Sequence, residues 1–168
     1  MKIGKEIKKG GEFKVFELED NEVLKIPRYP NLMYLIFGNF KQKNEHDLAF
    51  LKEYFPEFLP PTEILECEKS WAIRQQRIEG DFFFKNPQMT PDAKTLFSRA
   101  EKIFQETGKI PDLSNPGNLI REDKTGKLFL VDTSVLGRKR WWPIGFLVTR
   151  FLGKILFDTV KRWLKSGF

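Results

Sequence analysis

The sequence predicts an α+β fold whose first sheet is largely antiparallel, with one helix inserted among its strands. Three observations carry this. Residues 3–27 alternate in the manner of strands and are broken by turn signals at Gly10-Gly11 and Asp20-Asn21. Two more strand-like runs, ILECE and SWAIRQQRI, follow after a helical stretch. A second helical stretch, 91–107, stands apart from the first and leads into a polar loop and another strand pair.

Taken in order, Ile3 and Ile7 precede the Gly10-Gly11 turn, and Phe13, Val15, Phe16 and Leu18 follow it. EVLKIP makes a third strand that stops at Pro27, since proline has no N–H for a ladder. Residues 31–41 are apolar with helical or loop character. Gln42 to Tyr54 reads as a helix, with Leu48, Leu51 and Phe55 as its buried stripe and Phe50 beside it. Phe55-Pro56 to Pro60-Pro61 ends that helix. ILECE and SWAIRQQRI meet at a polar turn over 68–70, and Glu79-Gly80-Asp81 reads as a loop. Pro91 opens the second helix and Gly108 follows its end; Leu96, Ala100, Ile103 and Phe104 share one face. DLSNPGN then precedes NLIRE and KLFLVD, two short strands joined by the turn 123–126. The last thirty residues read as an amphipathic helix, or as two with a break near Gly153.

Composition narrows the chemistry. At 168 residues the chain is one domain or two small lobes sharing a cleft. With 40% hydrophobic residues, 17 Phe and 4 Trp it can build a core; 31% charged residues argue against a polytopic membrane protein. One cysteine, Cys67, excludes a disulfide framework and a cysteine-based zinc site. One histidine, His46, excludes multi-histidine metal sites and disfavours a Ser-His-Asp triad. No apolar leader precedes a small-residue cleavage site, so a cytoplasmic location is expected. The net charge of +6 is uneven. Residues 138–168 hold eight basic side chains against Asp158 alone, while the first 137 hold 21 basic and 22 acidic. A basic stripe across the folded body is therefore missing, and no nucleic-acid partner is expected.

Three polar groups stand out. Lys25 lies in an otherwise apolar third strand, Asp112 opens a loop rich in Asn, Pro and Gly, and Asp132 directly follows LFLV. Singly each has an ordinary role: a solvated strand lysine, a turn-forming aspartate, a cap. Order and spacing make the case. In that order the residues resemble the protein kinase-like superfamily, compact members such as lipopolysaccharide core and other small-molecule kinases more than eukaryotic protein kinases. IKKGGEFKVF resembles the glycine-rich loop, VLKI the third-strand lysine motif, NEHDLAFLKEYFP the helix whose carboxylate pairs with that lysine, and RQQRIEGDFF the strand and hinge that follow. DLSNPGNLI resembles the catalytic loop, and LFLVDTS the strand ending in the metal-binding aspartate.

The resemblance implies a two-lobed kinase-like fold: 1–79 an N-lobe, 80–137 a reduced helical C-lobe and 138–168 a basic terminal helix. It implies ATP and Mg²⁺ as cofactors. Gly10 and Gly11 would let the backbone approach the phosphates, Lys25 would neutralise them and Glu45 would orient the lysine, with Asp47 or Glu53 as substitutes. Gln75 to Ile78, Gln76 and Ile78 above all, would face the adenine with their backbone. Asp112 would accept or orient the proton of an acceptor hydroxyl, and Asn118 and Asp132 would hold the metal. The chain departs from the pattern in several places. The loop from Asp112 is one residue longer, so Asn115 competes with Asn118. Ile110-Pro111 replaces His-Arg, and Thr133-Ser134 replaces Phe-Gly. With no Ala-Pro-Glu motif and 36 residues after Asp132, a long activation loop is not expected. The expected function is phosphotransfer from Mg-ATP to a hydroxyl of a sugar, lipid-linked glycan or other small molecule. The alternatives are a catalytically inactive kinase-like binding module or a small Ser/Thr protein kinase.

The tail carries its own expectation. Ile144, Leu147, Val148, Phe151, Leu152, Ile155, Leu156, Val160, Trp163 and Leu164 fall on one broad helical face, with Arg150, Lys154, Asp158, Lys161 and Arg162 toward the other. Such a helix either closes the second lobe or lies on an anionic membrane surface, making the protein peripheral on the inner face.

Overall fold

The computed structural model describes residues 3–9, 12–28, 38–67, 70–85, 87–88, 90–113 and 115–137. The Gly10-Gly11 turn and the whole 138–168 tail lie outside the described residues, as does most of the 31–41 stretch. The chain divides into two compact units, Met1–Glu79 and Gly80–Phe168.

The first unit is a five-stranded antiparallel sheet with a helix. Its strands are β1 (Ile3–Lys9), β2 (Phe13–Leu18), β3 (Glu22–Pro27), β4 (Thr62–Cys67) and β5 (Ser70–Gln76), in the order β1-β2-β3-β5-β4. Asp20 and Asn21 make the β2–β3 turn with φ of 64° and 58°. Asp and Asn tolerate this left-handed region better than other side chains bearing a Cβ, because their short polar groups bond locally. Helix α1 (Phe40–Tyr54) starts two residues before the expected Gln42. The reason is local: the Asn39 side chain accepts from Gln42 N–H at 3.1 Å and caps the first turn.

Strand alternation sorts the sheet into two faces. Register pairs Val15 with Lys25, Lys25 with Ile73, and Ile73 with Ile64, so these four share a face. Phe13 and Trp71 stand on it too, and α1 packs there through Phe40, whose ring lies 5.7 Å from Phe13 and 5.6 Å from Trp71. Leu48, Leu51 and Phe55 are buried, as the periodicity predicts, and Phe50 is buried with them. The opposite face carries a second cluster of Leu18, Leu24 and Ala72, with Phe16, Ile26 and Leu65 against it. Lys41 ties α1 to the sheet edge by pairing with both Glu45 and Glu66.

The second unit holds β6 (Gly80–Phe82), α2 (Pro91–Thr107), β7 (Lys109–Pro111), β8 (Leu119–Glu122), β9 (Leu128–Leu130) and β10 (Val135–Gly137). Helix α2 has the expected bounds. Thr90 caps it by accepting from Ala93 N–H, and Gly108, at φ 70°, ends it by donating its N–H to Phe104. Its buried residues are Ala93, Leu96, Phe97, Ala100 and Ile103, so the inward face is turned slightly from the expected one and Phe104 is only half-buried.

The expected loop at Glu79-Gly80-Asp81 is instead the start of a strand. β6 pairs with β8, and β8 with β9. Gly80 allows it: a Cβ there would lie 1.9 Å from the carbonyl oxygen of Arg121. Glycine reads locally as a breaker, but here its missing side chain is what lets two backbones meet. β7 and β10 form a separate antiparallel pair that the sequence reading does not contain.

Candidate active site

The second unit brings three of the expected residues to the ends of short strands. β7 ends at Pro111, so Asp112 leaves the β7–β10 ladder directly. Its N–H donates to the Ser134 carbonyl at 2.9 Å, extending the ladder by one bond. Pro116 to Asn118 form a single 3₁₀ turn that delivers the chain into β8. Asn118 is buried, and its amide Nδ2 donates to the Asp112 carbonyl at 2.9 Å. Its own carbonyl accepts from Val131 N–H at 2.9 Å. Asp132 follows at once, and its Oδ1 accepts from Ser134 N–H at 2.8 Å. A closed circuit of hydrogen bonds thus joins the Asp112, Asn118 and Asp132 segments.

The same circuit separates Asn118 from Asn115. Asn115 is exposed, and its Oδ1 accepts from Gly117 N–H at 2.9 Å, a local cap of the 3₁₀ turn. Asn118 uses its nitrogen instead, which leaves its oxygen outside that bond. Asp132 likewise keeps Oδ2 outside its turn. The aspartate therefore does serve as a turn cap, its ordinary role, without spending both oxygens. Thr133 is buried and Ser134 contributes only backbone to the circuit. Ser134 was not singled out from sequence, because backbone bonds leave no trace in side-chain type.

In the first unit, Lys25 is half-buried on the α1 face of the sheet. Glu45 lies on the exposed side of α1, with its carboxylate 3.3 Å from Lys41. The two carboxylates near Lys41, Glu66 first and then Glu45, raise its pKa above the usual value. Asp47 is more buried and meets Lys43 at 2.7 Å. Gln76 and Ile78 lie on a stretch held from both sides. Gln76 N–H donates to Pro61, Arg77 N–H donates to Asn21, and the Arg77 side chain pairs with Glu17. Gln75 is buried and donates from Nε2 to Thr62 Oγ1, which donates on to the Pro60 carbonyl. Gly10 and Gly11 lie outside the described residues.

One buried polar residue escapes the sequence reading. Asn44 sits on the inward stripe of α1, 1% exposed, and its Oδ1 has no hydrogen-bond partner among the described residues. A buried acceptor of this kind costs about 1–3 kcal/mol. The signal was present: Asn44 interrupts an apolar repeat of Phe40, Leu48 and Leu51.

The layout can be compared with known proteins. No protein family matches this chain by sequence, and no curated protein does so either. Among solved structures, the Legionella pneumophila Lpg2603 kinase bound to IP6 is similar over 84% of this chain and 52% of its own, at 18% identity and a TM-score of 0.54. The chain has a kinase-like fold. The bifunctional kinase-methyltransferase WbdD is also matched, over 86% of this chain and 34% of its own, at 14% identity and a TM-score of 0.44. The chain thus spans about half the length of the first protein and a third of the second. Within a kinase-like fold, β8–β9 is the strand pair between the two aspartates, and β7–β10 clasps the segments on either side of it. No helix among the described residues is long and apolar enough to cross a membrane.

Proposed function

We propose that the protein is a kinase-like phosphotransferase that moves the terminal phosphoryl group of Mg-ATP to a hydroxyl of a sugar, lipid-linked glycan or other small molecule. The observation that carries this is the hydrogen-bonded circuit joining Asp112, Asn118 and Asp132. Phosphoryl transfer needs little covalent chemistry from the protein; it needs charge neutralised and groups held in place. A chain with one histidine and one cysteine can meet that demand.

The donor set fits Mg²⁺. Asn118 Oδ1 and Asp132 Oδ2 are hard oxygens of the kind that ion takes. When bound, the ion would supply positive charge to neutralise the phosphates. Asp112 orients the acceptor hydroxyl and receives its proton. Lys25 neutralises phosphate charge. The backbone of Gln76 to Ile78 meets the adenine, and the Gly10-Gly11 turn admits the phosphates without a Cβ clash. The basic tail adds reversible attachment to an anionic membrane surface.

A second reading is a nucleotide-binding module without turnover. Ile110-Pro111 and Thr133-Ser134 in place of the usual neighbours of the two aspartates favour it. Calorimetry with Mg-ATP beside a turnover assay separates the two. Asp132→Ala should abolish Mg-dependent binding. Asp112→Ala should spare binding and remove turnover. Equal turnover in the Asp112→Ala protein would overturn the catalytic assignment, and a wild-type protein that binds ATP without turnover would establish the second reading.

A further inference from the structure

Helix α1 directs one polar side chain inward. Its buried residues are Phe40, Asn44, Leu48, Phe50 and Leu51. Asn44 Nδ2 donates to the Phe40 carbonyl, one turn back, at 2.9 Å. That bond settles which end of the amide is nitrogen. The other end, Oδ1, is buried and accepts from no donor among the described residues. A leucine, branched at the same atom, would suit the apolar stripe better, so the oxygen points to a donor that reaches it in another state of the protein.

Few donors stand on the sheet face beneath α1. Thr62 Oγ1 is engaged with Pro60 and Gln75, and Gln75 with Thr62. Among the described residues the other side-chain donors on that face are the Trp71 indole and the ammonium groups of Lys8 and Lys25, and Lys8 is exposed on the edge strand β1. Trp71 is fixed by its ring contacts with Phe40 and Phe13. Lysine differs: its stem is flexible and its ammonium has three donors, so it adds an acceptor while keeping others.

We propose that Asn44 is the positioning residue of α1 for Lys25, its Oδ1 receiving an ammonium N–H when nucleotide phosphates draw the lysine into place. This rests on the nucleotide reading above and deepens it. A neutral amide orients the lysine without cancelling its charge, so the full positive charge stays directed at the phosphates.

The test compares ATP with adenosine, which lacks the phosphates, on wild type, Asn44→Leu, Asn44→Asp, Lys25→Met and the Asn44→Leu/Lys25→Met double variant. Calorimetry gives affinity and a thermal melt gives stability. Asn44→Leu should melt no lower than wild type, lose at least tenfold in ATP affinity and keep wild-type adenosine affinity. Asn44→Asp, which restores an oxygen at the same place, should recover ATP affinity to within about threefold. In the Lys25→Met background, Asn44→Leu should have no further effect. If leucine is not accommodated, Asn44→Ala carries the same expectations for binding. Unchanged ATP affinity in the folded Asn44→Leu protein overturns the inference and leaves the nucleotide reading intact. So does an equal loss for ATP and adenosine, or a failure of Asn44→Asp to recover. A wild-type protein that binds neither ligand overturns both.

Discussion

Replacing Asn118 with Ala separates the two tasks given to that residue. The side chain donates one bond, from Nδ2 to the Asp112 carbonyl at 2.9 Å, and is 5% exposed. The backbone bonds to Asn115 and Val131 survive the substitution. The structural loss is therefore one hydrogen bond in a partly buried setting. It costs about 0.5–1.5 kcal/mol, or about 1–3 kcal/mol where the bereft carbonyl finds no water. At about 2–4 °C per kcal/mol for a chain of this size, the melting point should fall by roughly 1–12 °C. That is well short of unfolding a domain stable by about 5–15 kcal/mol. On the proposed function, the substitution also removes an oxygen ligand. ATP affinity in the presence of Mg²⁺ should fall at least tenfold, about 1.4 kcal/mol, with affinity measured in chelator unchanged. Asn118→Asp dissects this further. It keeps an oxygen but sets a second acceptor against the Asp112 carbonyl, so it should melt as low as the Ala variant and retain part of the Mg²⁺ response. Calorimetry with and without Mg²⁺ reads the binding, and a thermal melt reads the fold. An Ala variant that stays folded with wild-type Mg-dependent affinity would refute the ligand assignment; an unchanged melting point would refute the structural one.

Other consequences are as open to measurement. Gly80→Ala should destabilise by about 1–3 kcal/mol, because the new methyl meets backbone that cannot turn aside; an unchanged urea midpoint would show that β6 tolerates displacement. Glu66 and Glu45 raise the pKa of Lys41 above 10.5, so what the pairs contribute is fully present below that pH and is lost as pH rises through the folded pKa. The difference in stability between wild type and Lys41→Met should accordingly shrink in strong alkali, and a difference that grows there would reverse the assignment. For the tail, changing Arg138, Lys139, Arg140, Lys161 and Arg162 to Glu should abolish flotation with anionic vesicles and leave the melt unchanged. Wild-type binding should also weaken as salt rises; equal flotation by the folded variant would exclude a membrane role for these charges.

The elements legible in the sequence are those built by local chemistry. Thr90, Pro91 and Gly108 bracket α2 because a cap, a fixed φ and a left-handed exit each belong to one residue type. The β2–β3 turn is legible for the same reason. β6, β7 and β10 are not, since each is three residues long with a pairing partner distant in sequence, whereas β9, equally short, pairs with its neighbour β8 across a legible turn. The candidate site shows the same division. Asp112 and Asp132 could be singled out by their places beside a polar loop and an apolar strand. Asn115 and Asn118 differ in which end of the amide is bonded, oxygen in one and nitrogen in the other, and sequence does not encode that direction. The placement of Glu45 follows from helical phase: one residue along from Asn44, it is carried about 100° round the helix and away from the buried stripe.

The β7–β10 ladder has a thermal corollary. It is only three residue pairs long, with the Asp112–Ser134 bond as its continuation, and both aspartates sit at its margin. A short ladder closing a long loop opens as one event, since loop-closure entropy is recovered all at once when the clasp parts. The amide protons of Asp112, Ile110 and Leu136, the donors that alternation assigns to this ladder, should then exchange with solvent at a common rate, faster than those in the middle of α2. Warming would disable the site by unfastening this ladder while the five-stranded sheet stays intact, so the temperature at which activity is lost should lie below that at which the sheet melts.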